Sequence, residues 1–403
     1  MKKNVLFISD GSLANPIVHS QGYPLLEALS EDDYNCHLLT FESSQIIREV
    51  NNTFDDLQKK FVNDIKIYPI ILNLGLIFPG WLQIYFRGVR NCIRIIKQND
   101  IKIIHARSFN PSLIALTLTL LFFPTVKFLF DNRGVFIDEE IYIGRLKKNS
   151  FKVKILRKIE KTIIKRADMI VVVSKAFKHY LASNLEQKRQ YLSDKIIVIP
   201  NGTEVLEEND RLVSDNINNG FIGIYSGSTA KWQRIPDIIS LCKVGVKKFA
   251  NFRLKIFTYD DPNIIKKHYI GNKHLEHFIE VTTLDSTEVK SYLQEGKFGI
   301  LLRERHILNR VACPLKFAEY LAAGIPVLIS EGVGDTEKII NDYRVGVVIY
   351  NDDFDKALSE MFELVSDTTI RNRCREVAKK EFNLSYSITL YKNVYRDLFA
   401  NQY

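Results

Sequence analysis

The chain has 403 residues, of which 46% are hydrophobic and 26% charged, and carries a formal net charge of +9. That composition belongs to an ordinary globular protein of two or three domains with ample core, and it excludes a chain too polar to fold. The basic excess calls for acidic partners, and with no nucleic-acid-binding motif beside it the candidates narrow to anionic lipid and phosphorylated substrates.

From the amino end, "NVLFIS" reads as a first buried strand; two lysines precede it as in a secretion signal, but the apolar run is too short and Asp10 ends it. A loop leads to a helix around "YPLLEALS", and "NCHLLTF" is the next strand. In "WLQIYFRGVRNCIRIIKQ", Trp81, Ile84, Tyr85, Val89, Ile93 and Ile96 keep helical spacing while Arg87, Arg90 and Arg94 share another sector. This fits either a helix lying on a membrane surface or a half-buried helix with a solvated basic face. "IKIIHA" is a strand ending at His105. The longest apolar block, "PSLIALTLTLLFFPTVKFLF", is interrupted by Pro124 and Lys127, so it reads as a buried helix followed by a strand rather than a membrane span.

"VKFLFD" ends at Asp131, the charged helix "KVKILRKIEKTIIKRA" precedes the strand "DMIVVVS", and Ser174 has the chemistry of an N-cap for "KAFKHYL". "KIIVIPNG" closes the first half, and the polar stretch from Asn201 to Gly220 reads as a linker. Strand-like runs then resume with "GFIGIYSGS", "FRLKIFTY", "HFIEVTT", "FGILLRE", "PVLIS" and "GVVIY". Alternating strands and helices predict parallel sheets in two doubly wound α/β domains. The expected boundaries are 1–203, completed by a C-terminal helix over 385–403, and 204–384.

Ligands of doubly wound sheets bind beyond the carboxyl ends of the strands. That rule singles out Ser9-Asp10-Gly11, His105 to Ser108, Asp131 to Gly134, Gly227-Ser228 and Arg303 to Arg305. Arg107, Asp131 and Arg133 fit either an acceptor site or an ion-paired network across adjacent strand ends. No metal site is expected: His268, His274 and His277 have no further ligand nearby, Asp353 and Asp355 open a helix whose dipole favours acids, and Asp260-Asp261-Pro262 reads as a turn. The five scattered cysteines, Cys36, Cys92, Cys242, Cys313 and Cys374, form no CxxC pair, as in a reducing compartment.

"CPLKFAEYLAAGIPVLIS", Cys313 to Ser330, concentrates the most chemistry. Pro314 suits a first helical turn, Phe317, Ala318, Leu321 and Ala322 form a buried stripe, Gly324 follows the helix end, and Ile325 to Ile329 read as a buried parallel strand. Lys316 and Glu319 project from neighbouring parts of one face. A helix N-terminus with a lysine on it attracts an anion, and a carboxylate one turn on accepts hydrogen bonds from a sugar diol. The arrangement suits a nucleotide, with diphosphate on the helix tip and ribose on Glu319; a surface helix with an i,i+3 ion pair is the plain alternative.

Four ordered stretches, "HARS", "FDNRGVFIDEE" with "RADMIVVVS", "IPNGTE" and "CPLKFAEYLAAGIPVLIS", resemble the retaining GT-B glycosyltransferases of the group 1 (family 4) class. "GSLANPIVHSQGYPLLEAL" also resembles the acceptor-side loop of members that build bacterial surface polysaccharides such as capsule and O-antigen. The resemblance spans nearly the whole chain. It implies two Rossmann-like domains facing across a cleft, with the acceptor on the first and a nucleotide diphosphate sugar on the second. Donor contacts are then expected at Gly227, Ser228, Lys231, Ala312, Pro314, Leu315, Lys316 and Glu319. Acceptor-side contacts are expected at Gly11, Ser20, Gln21, Arg107, Asp131 and Arg133. His105 is expected beside the donor sugar, with Arg303 and Lys316 on the diphosphate, and these three are the catalytic candidates.

The chain departs from the family at two places. Val311 stands where a glutamate is usual, eight residues before Glu319, and the basic loop after the first strand of the second domain is degraded in "SGSTAKWQR", where Lys231 or Arg234 can substitute. The resemblance implies no cofactor and no metal, because fixed Arg and Lys at a helix N-terminus can neutralise a leaving diphosphate. The implied partners are the nucleotide sugar, a lipid-linked glycan acceptor and an anionic membrane surface on the cytoplasmic side. Two other readings share the fold: a nucleotide-sugar epimerase, and a catalytically inactive GT-B subunit bound to a partner enzyme.

Overall fold

A computed structural model describes residues 2–9, 11–13, 18–43, 65–72, 80–183, 194–205, 220–284 and 286–400. Asp10 and most of the expected linker lie outside these residues. The chain forms two units, Met1–Ile199 with Ser387–Tyr403, and Pro200–Tyr386.

The first unit is built on parallel strands β1 (Lys3–Ile8), β2 (Tyr34–Ser43), β3 (Ile65–Leu72), β4 (Ile103–Arg107), β5 (Lys127–Asn132), β6 (Met169–Val172) and β7 (Ile196–Val198), in the order β3-β2-β1-β4-β5-β6-β7. The sequence reading missed β3, whose run "IKIYPIIL" contains Pro69. The proline is tolerated because β3 is an edge strand, where a missing N–H breaks no ladder on the open side. The helices of eight residues or more are α1 (Tyr23–Glu31), α2 (Gly80–Asn99), α3 (Phe109–Leu121), α4 (Phe151–Arg166), α5 (Lys175–Ser183) and, after the second unit's helices, α11 (Leu384–Ala400).

The long apolar block folds as α3 and β5, a helix and then a strand. Among the described residues no helix is long and apolar enough to cross a membrane. Ser174 accepts a hydrogen bond from the Phe177 N–H at 3.0 Å, and so caps α5. On one face of the sheet Val5, Phe7, Ile103, Leu129 and Val171 pack with Leu25, Leu26 and Leu29 of α1 and with Tyr391, Val394, Tyr395 and Leu398 of α11. Side chains alternate along each strand, so His105, two residues after Ile103, faces that same layer.

The second unit has strands β8 (Phe221–Ser226), β9 (Phe252–Thr258), β10 (Ile279–Thr283), β11 (Phe298–Leu301), β12 (Val327–Ser330) and β13 (Gly346–Ile349), all parallel, in the order β10-β9-β8-β11-β12-β13. Its longer helices are α6 (Ile235–Lys248), α7 (Leu315–Ala322), α8 (Thr336–Tyr343), α9 (Phe354–Val365) and α10 (Ile370–Glu381). Ile222 and Ile224 face one apolar layer with α7 and α10, and Phe221 and Tyr225 face the other with α6 and α9. Both sheets share one topology, in which strand order reverses between β1 and β4 and between β8 and β11. These reversals open a crevice at the strands' carboxyl ends, where doubly wound sheets hold ligands.

Pro314 is the N-cap of α7 rather than its first helical residue, with ψ of 117°. Phe317, Ala318, Leu321 and Ala322 are buried as expected, and so is Tyr320. The Tyr320 ring lies on Gly299 of β11, where an added Cβ would come within 2.4 Å of it. Gly324 takes φ of +79°, a left-handed conformation natural to glycine. The Ile325 N–H bonds the Tyr320 carbonyl at 3.0 Å and the Gly324 N–H bonds that of Leu321 at 2.9 Å, which is a Schellman ending.

Candidate functional site

In the first unit the residues expected at the ends of β4 and β5 converge on one carboxylate. Asp131 is fully buried, with Arg107 Nη1 3.3 Å from Oδ2 and Arg133 Nη1 3.3 Å from Oδ1. His105 Nε2 also lies 3.3 Å from Oδ2. The Tyr391 hydroxyl of α11 donates to Oδ1 at 3.1 Å and accepts from Arg133 at 3.0 Å. His105 Nδ1 is 2.8 Å from the Tyr395 hydroxyl. Burial by itself would raise the Asp131 carboxyl, but Arg133, His105 and Arg107 overcome this and hold it well below the usual carboxylate range. Burial pushes the His105 imidazole down, against the pull of Asp131, so the ring is held neutral near pH 7.

His105 has no exposed surface, since its ring packs 4.4 Å from Phe7 and is flanked by Tyr391 and Tyr395. Arg107, Asp131 and Arg133 form an ion-paired network across the ends of β4 and β5. Sequence reasoning missed both tyrosines. Their signal was the pair Tyr391 and Tyr395 on one turn of an otherwise unexplained helix, which supplies the hydroxyls that buried His and Asp need.

Gly11 follows β1, with its N–H on Ser9 Oγ at 3.2 Å, and Ser20 and Gln21 are half-buried in the turn leading into α1. Glu42, at the end of β2, is a further residue not foreseen: it is buried and accepts hydrogen bonds from Ser12 Oγ and from the Leu13 N–H, which ties down the loop after β1. A lone carboxylate late in the apolar run "NCHLLTFES" was the available clue.

In the second unit the crevice between β8 and β11 is lined by the loops after those strands. Tyr225 donates to the Ser228 carbonyl at 2.6 Å, and a Cβ on Gly227 would come 2.9 Å from that tyrosine's oxygen. Asp260 accepts from the Thr229 N–H and from its hydroxyl at 2.8 Å, so the Gly227–Thr229 turn is fixed at both ends. The Tyr320 hydroxyl of α7 accepts from the Ser226 N–H at 2.8 Å, which couples α7 to the end of β8. Lys231 follows in a single 3-10 turn. Arg234 is paired with Asp237 and Asp352 at 2.8 and 2.9 Å.

Arg303 lies just past β11, with its N–H on Ser330 Oγ at 2.9 Å. Its Nε is buried with no hydrogen-bond partner among the described residues. Burial lowers its pKa, and the hydroxyls of Tyr225 and Tyr320 are its electrostatic neighbours. The side chain is half-buried, and an anion beside it would satisfy that Nε. Lys316 and Glu319 form the i,i+3 pair at 3.3 Å, both half-buried. The loop before α7 is clamped: Cys313 O accepts from Asn201 Nδ2 at 2.6 Å, and Gly334 (φ +48°) lies so close to Ala312 O that a Cβ would sit 1.9 Å from it. This sets the backbone of Ala312, Pro314 and Leu315 ahead of the helix. Val311 is buried, so the loop offers no carboxylate there, and Arg310 is exposed.

Two of the metal candidates are engaged elsewhere. Asp353 caps α9 through the Lys356 N–H at 3.1 Å, and Asp355 pairs with Lys248 at 2.6 Å. No group of three or more His, Cys, Asp or Glu among the described residues is placed to hold a metal ion.

The family model "Glycosyltransferase Family 4" matches residues 23–205, and "Glucosyltransferase 3-like, C-terminal domain" matches residues 249–388. No curated protein sequence matches the chain. Sucrose-phosphate synthase from Thermosynechococcus elongatus is similar in fold, at 16% identity over 99% of this chain and 100% of that one, with a TM-score of 0.74. Anabaena Alr3699/HepE in complex with UDP is similar at 11% identity over 98% of this chain and 100% of that one, TM-score 0.71. A candidate UDP-N-acetylglucosamine 2-epimerase from Listeria monocytogenes follows at 13% identity over 100% and 98%, TM-score 0.63. With a family 4 match on its first half, a glucosyltransferase match on its second and a Rossmann strand order in each, the chain belongs to the group 1 (family 4) glycosyltransferases of the GT-B fold.

Proposed function

We propose that this glycosyltransferase moves a sugar from a nucleotide diphosphate sugar to a lipid-linked glycan, with retention at the anomeric carbon, in the synthesis of a bacterial surface polysaccharide. The observation that carries the donor reading is Arg303, a half-buried cation whose buried Nε has no hydrogen-bond partner among the described residues, at the crevice between β8 and β11. As the glycosidic bond breaks, negative charge grows on the diphosphate. Arg303, Lys316 and the N-terminus of α7 are fixed positive groups that neutralise it without reorganising. In this reading Glu319 accepts hydrogen bonds from the ribose. Gly227, Ser228, Lys231 and the backbone of Ala312, Pro314 and Leu315 line the donor.

Gly11, Ser20, Gln21, Arg107 and Arg133 serve the acceptor side. Asp131 holds the two arginines, and His105 acts through Asp131 rather than by touching the sugar, because its ring is covered. A lipid-linked acceptor implies work at the inner face of the cytoplasmic membrane, and the net charge of +9 suits an anionic surface. Retention rests on the family resemblance, and the UDP bound to Alr3699/HepE favours a uridine donor among the nucleotides to try first.

The test is incubation with a panel of UDP, GDP, ADP and TDP sugars, with and without EDTA, following both products. Release of a nucleotide diphosphate from one donor, undiminished by EDTA, is the expected result. Turnover abolished by chelation and restored by magnesium or manganese would overturn the metal-free mechanism. Sugar isomerisation in place of transfer would favour the epimerase reading, and no reaction with any donor the inactive subunit.

A further inference from the structure

The helix α4 buries Val153, Ile163 and Ile164 in the first unit. Its opposite face leaves Phe151 77% and Ile155 44% exposed, one turn apart on a single line. With 3.6 residues per turn, Lys154, Lys158, Lys161 and Lys165 run along one flank of that line, and Lys152 and Arg166 along the other; all six are exposed. The only acid in the helix, Glu160, is half-buried and paired with Arg157 at 3.2 Å. The outer face thus carries cations on both sides of an apolar ridge and no exposed anion.

The surface extends beyond the helix. Lys152 Nζ lies 5.9 Å from the ring of Trp81 of α2, which is 56% exposed. Lys147 and Lys148, just before α4, are exposed as well. An acidic protein would match the cations but not a bare phenyl and isoleucine ridge running between them. The interface of an anionic bilayer matches both: apolar side chains enter the acyl boundary, and lysines lie along it with their ammonium groups among the headgroups.

We propose that α4, with Trp81 beside it, is the face that docks on an anionic lipid bilayer. This rests on the membrane-side reading above and not on the transfer chemistry. It moves the contact away from the arginines of α2 that the sequence suggested: Arg87 is half-buried and donates to the Ile71 carbonyl at 2.5 Å, leaving Arg90 and Arg94 as the exposed members of that set.

The experiment is flotation of the full chain with phosphatidylcholine vesicles, with and without phosphatidylglycerol, at low and high salt. The wild type should float with the anionic vesicles at low salt and be released by high salt. Lys154→Glu, Lys158→Glu and Lys165→Glu together should lower partitioning on the order of a hundredfold or more. Phe151→Ser with Ile155→Ser should weaken it at every salt concentration. Both variants alter exposed side chains, and their circular dichroism and UDP binding should match the wild type, which separates loss of docking from loss of fold or of donor site. No flotation by the wild type, equal flotation with neutral vesicles, or a triple variant that floats like the wild type would overturn the proposal. A wild-type dimer dissociated by Phe151→Ser would also overturn it, by making the ridge a contact between copies.

Discussion

Asp131→Ala should cost about 3–5 kcal/mol of folding stability, the largest loss expected from a single substitution in the first unit. The carboxylate is fully buried beside two guanidiniums, an imidazole and a tyrosine hydroxyl. Its removal leaves Arg107 and Arg133 facing each other in a low-dielectric site with no anion between them. Denaturant unfolding followed in the full chain measures this, and a loss below about 1 kcal/mol would mean the arginines reach solvent with little rearrangement.

The same network gives stability an acid dependence of definite sign. The pKa values of Asp131 and His105 are both depressed by folding, so each contributes stability that is complete above its unfolded pKa and lost as pH falls. The network's contribution to stability should be flat above about pH 6.5, decline as protonation of unfolded His105 begins to compete, and decline again below about pH 4 through Asp131.

Arg303→Met should lower turnover by roughly 10²–10³-fold while leaving the melting temperature little changed. Both outcomes follow from one fact: the Arg303 Nε has no partner in the fold among the described residues, so losing it costs the fold little but costs a site where negative charge develops. Arg303→Lys should rescue little, because an ammonium lacks the planar fork. Lys316→Ala should lose less, since Glu319 already offsets part of its charge at 3.3 Å. Glu319→Ala should weaken binding of the bare nucleotide diphosphate by about 1.5–3 kcal/mol, with turnover falling only as far as binding does. These effects are read as initial rates with the donor and calorimetric titration with the nucleotide. An Arg303→Met protein that is less stable and fully active would reverse the argument.

The fold was legible because parallel strands buried on both faces leave continuous apolar runs, and helices between them leave a 3.6-residue period. Strand β3 escaped because Pro69 breaks its run, and only its edge position makes that proline harmless. In the candidate donor site, Gly324, the α7 stripe and the Lys316–Glu319 pair were readable from local spacing. Tyr320 was not, because its burial depends on Gly299, twenty-one residues earlier on another element. The burial of His105 was hidden for the same reason on a larger scale: the cover comes from Tyr391 and Tyr395, far along the chain. Motif spacing gives a residue's strand and its end; it does not say which distant helix will lie over it.

Amide hydrogen exchange of the full chain, with and without UDP, tests the central claim most directly, that the nucleotide diphosphate is held at the carboxyl ends of β8 and β11. Slowed exchange at Gly227 to Lys231 and at Arg303 to Lys316, with β9 and β13 unchanged, is the expected result. Protection confined to the ends of β1, β4 and β5 would contradict it, by putting the nucleotide on the unit that here carries the acceptor side.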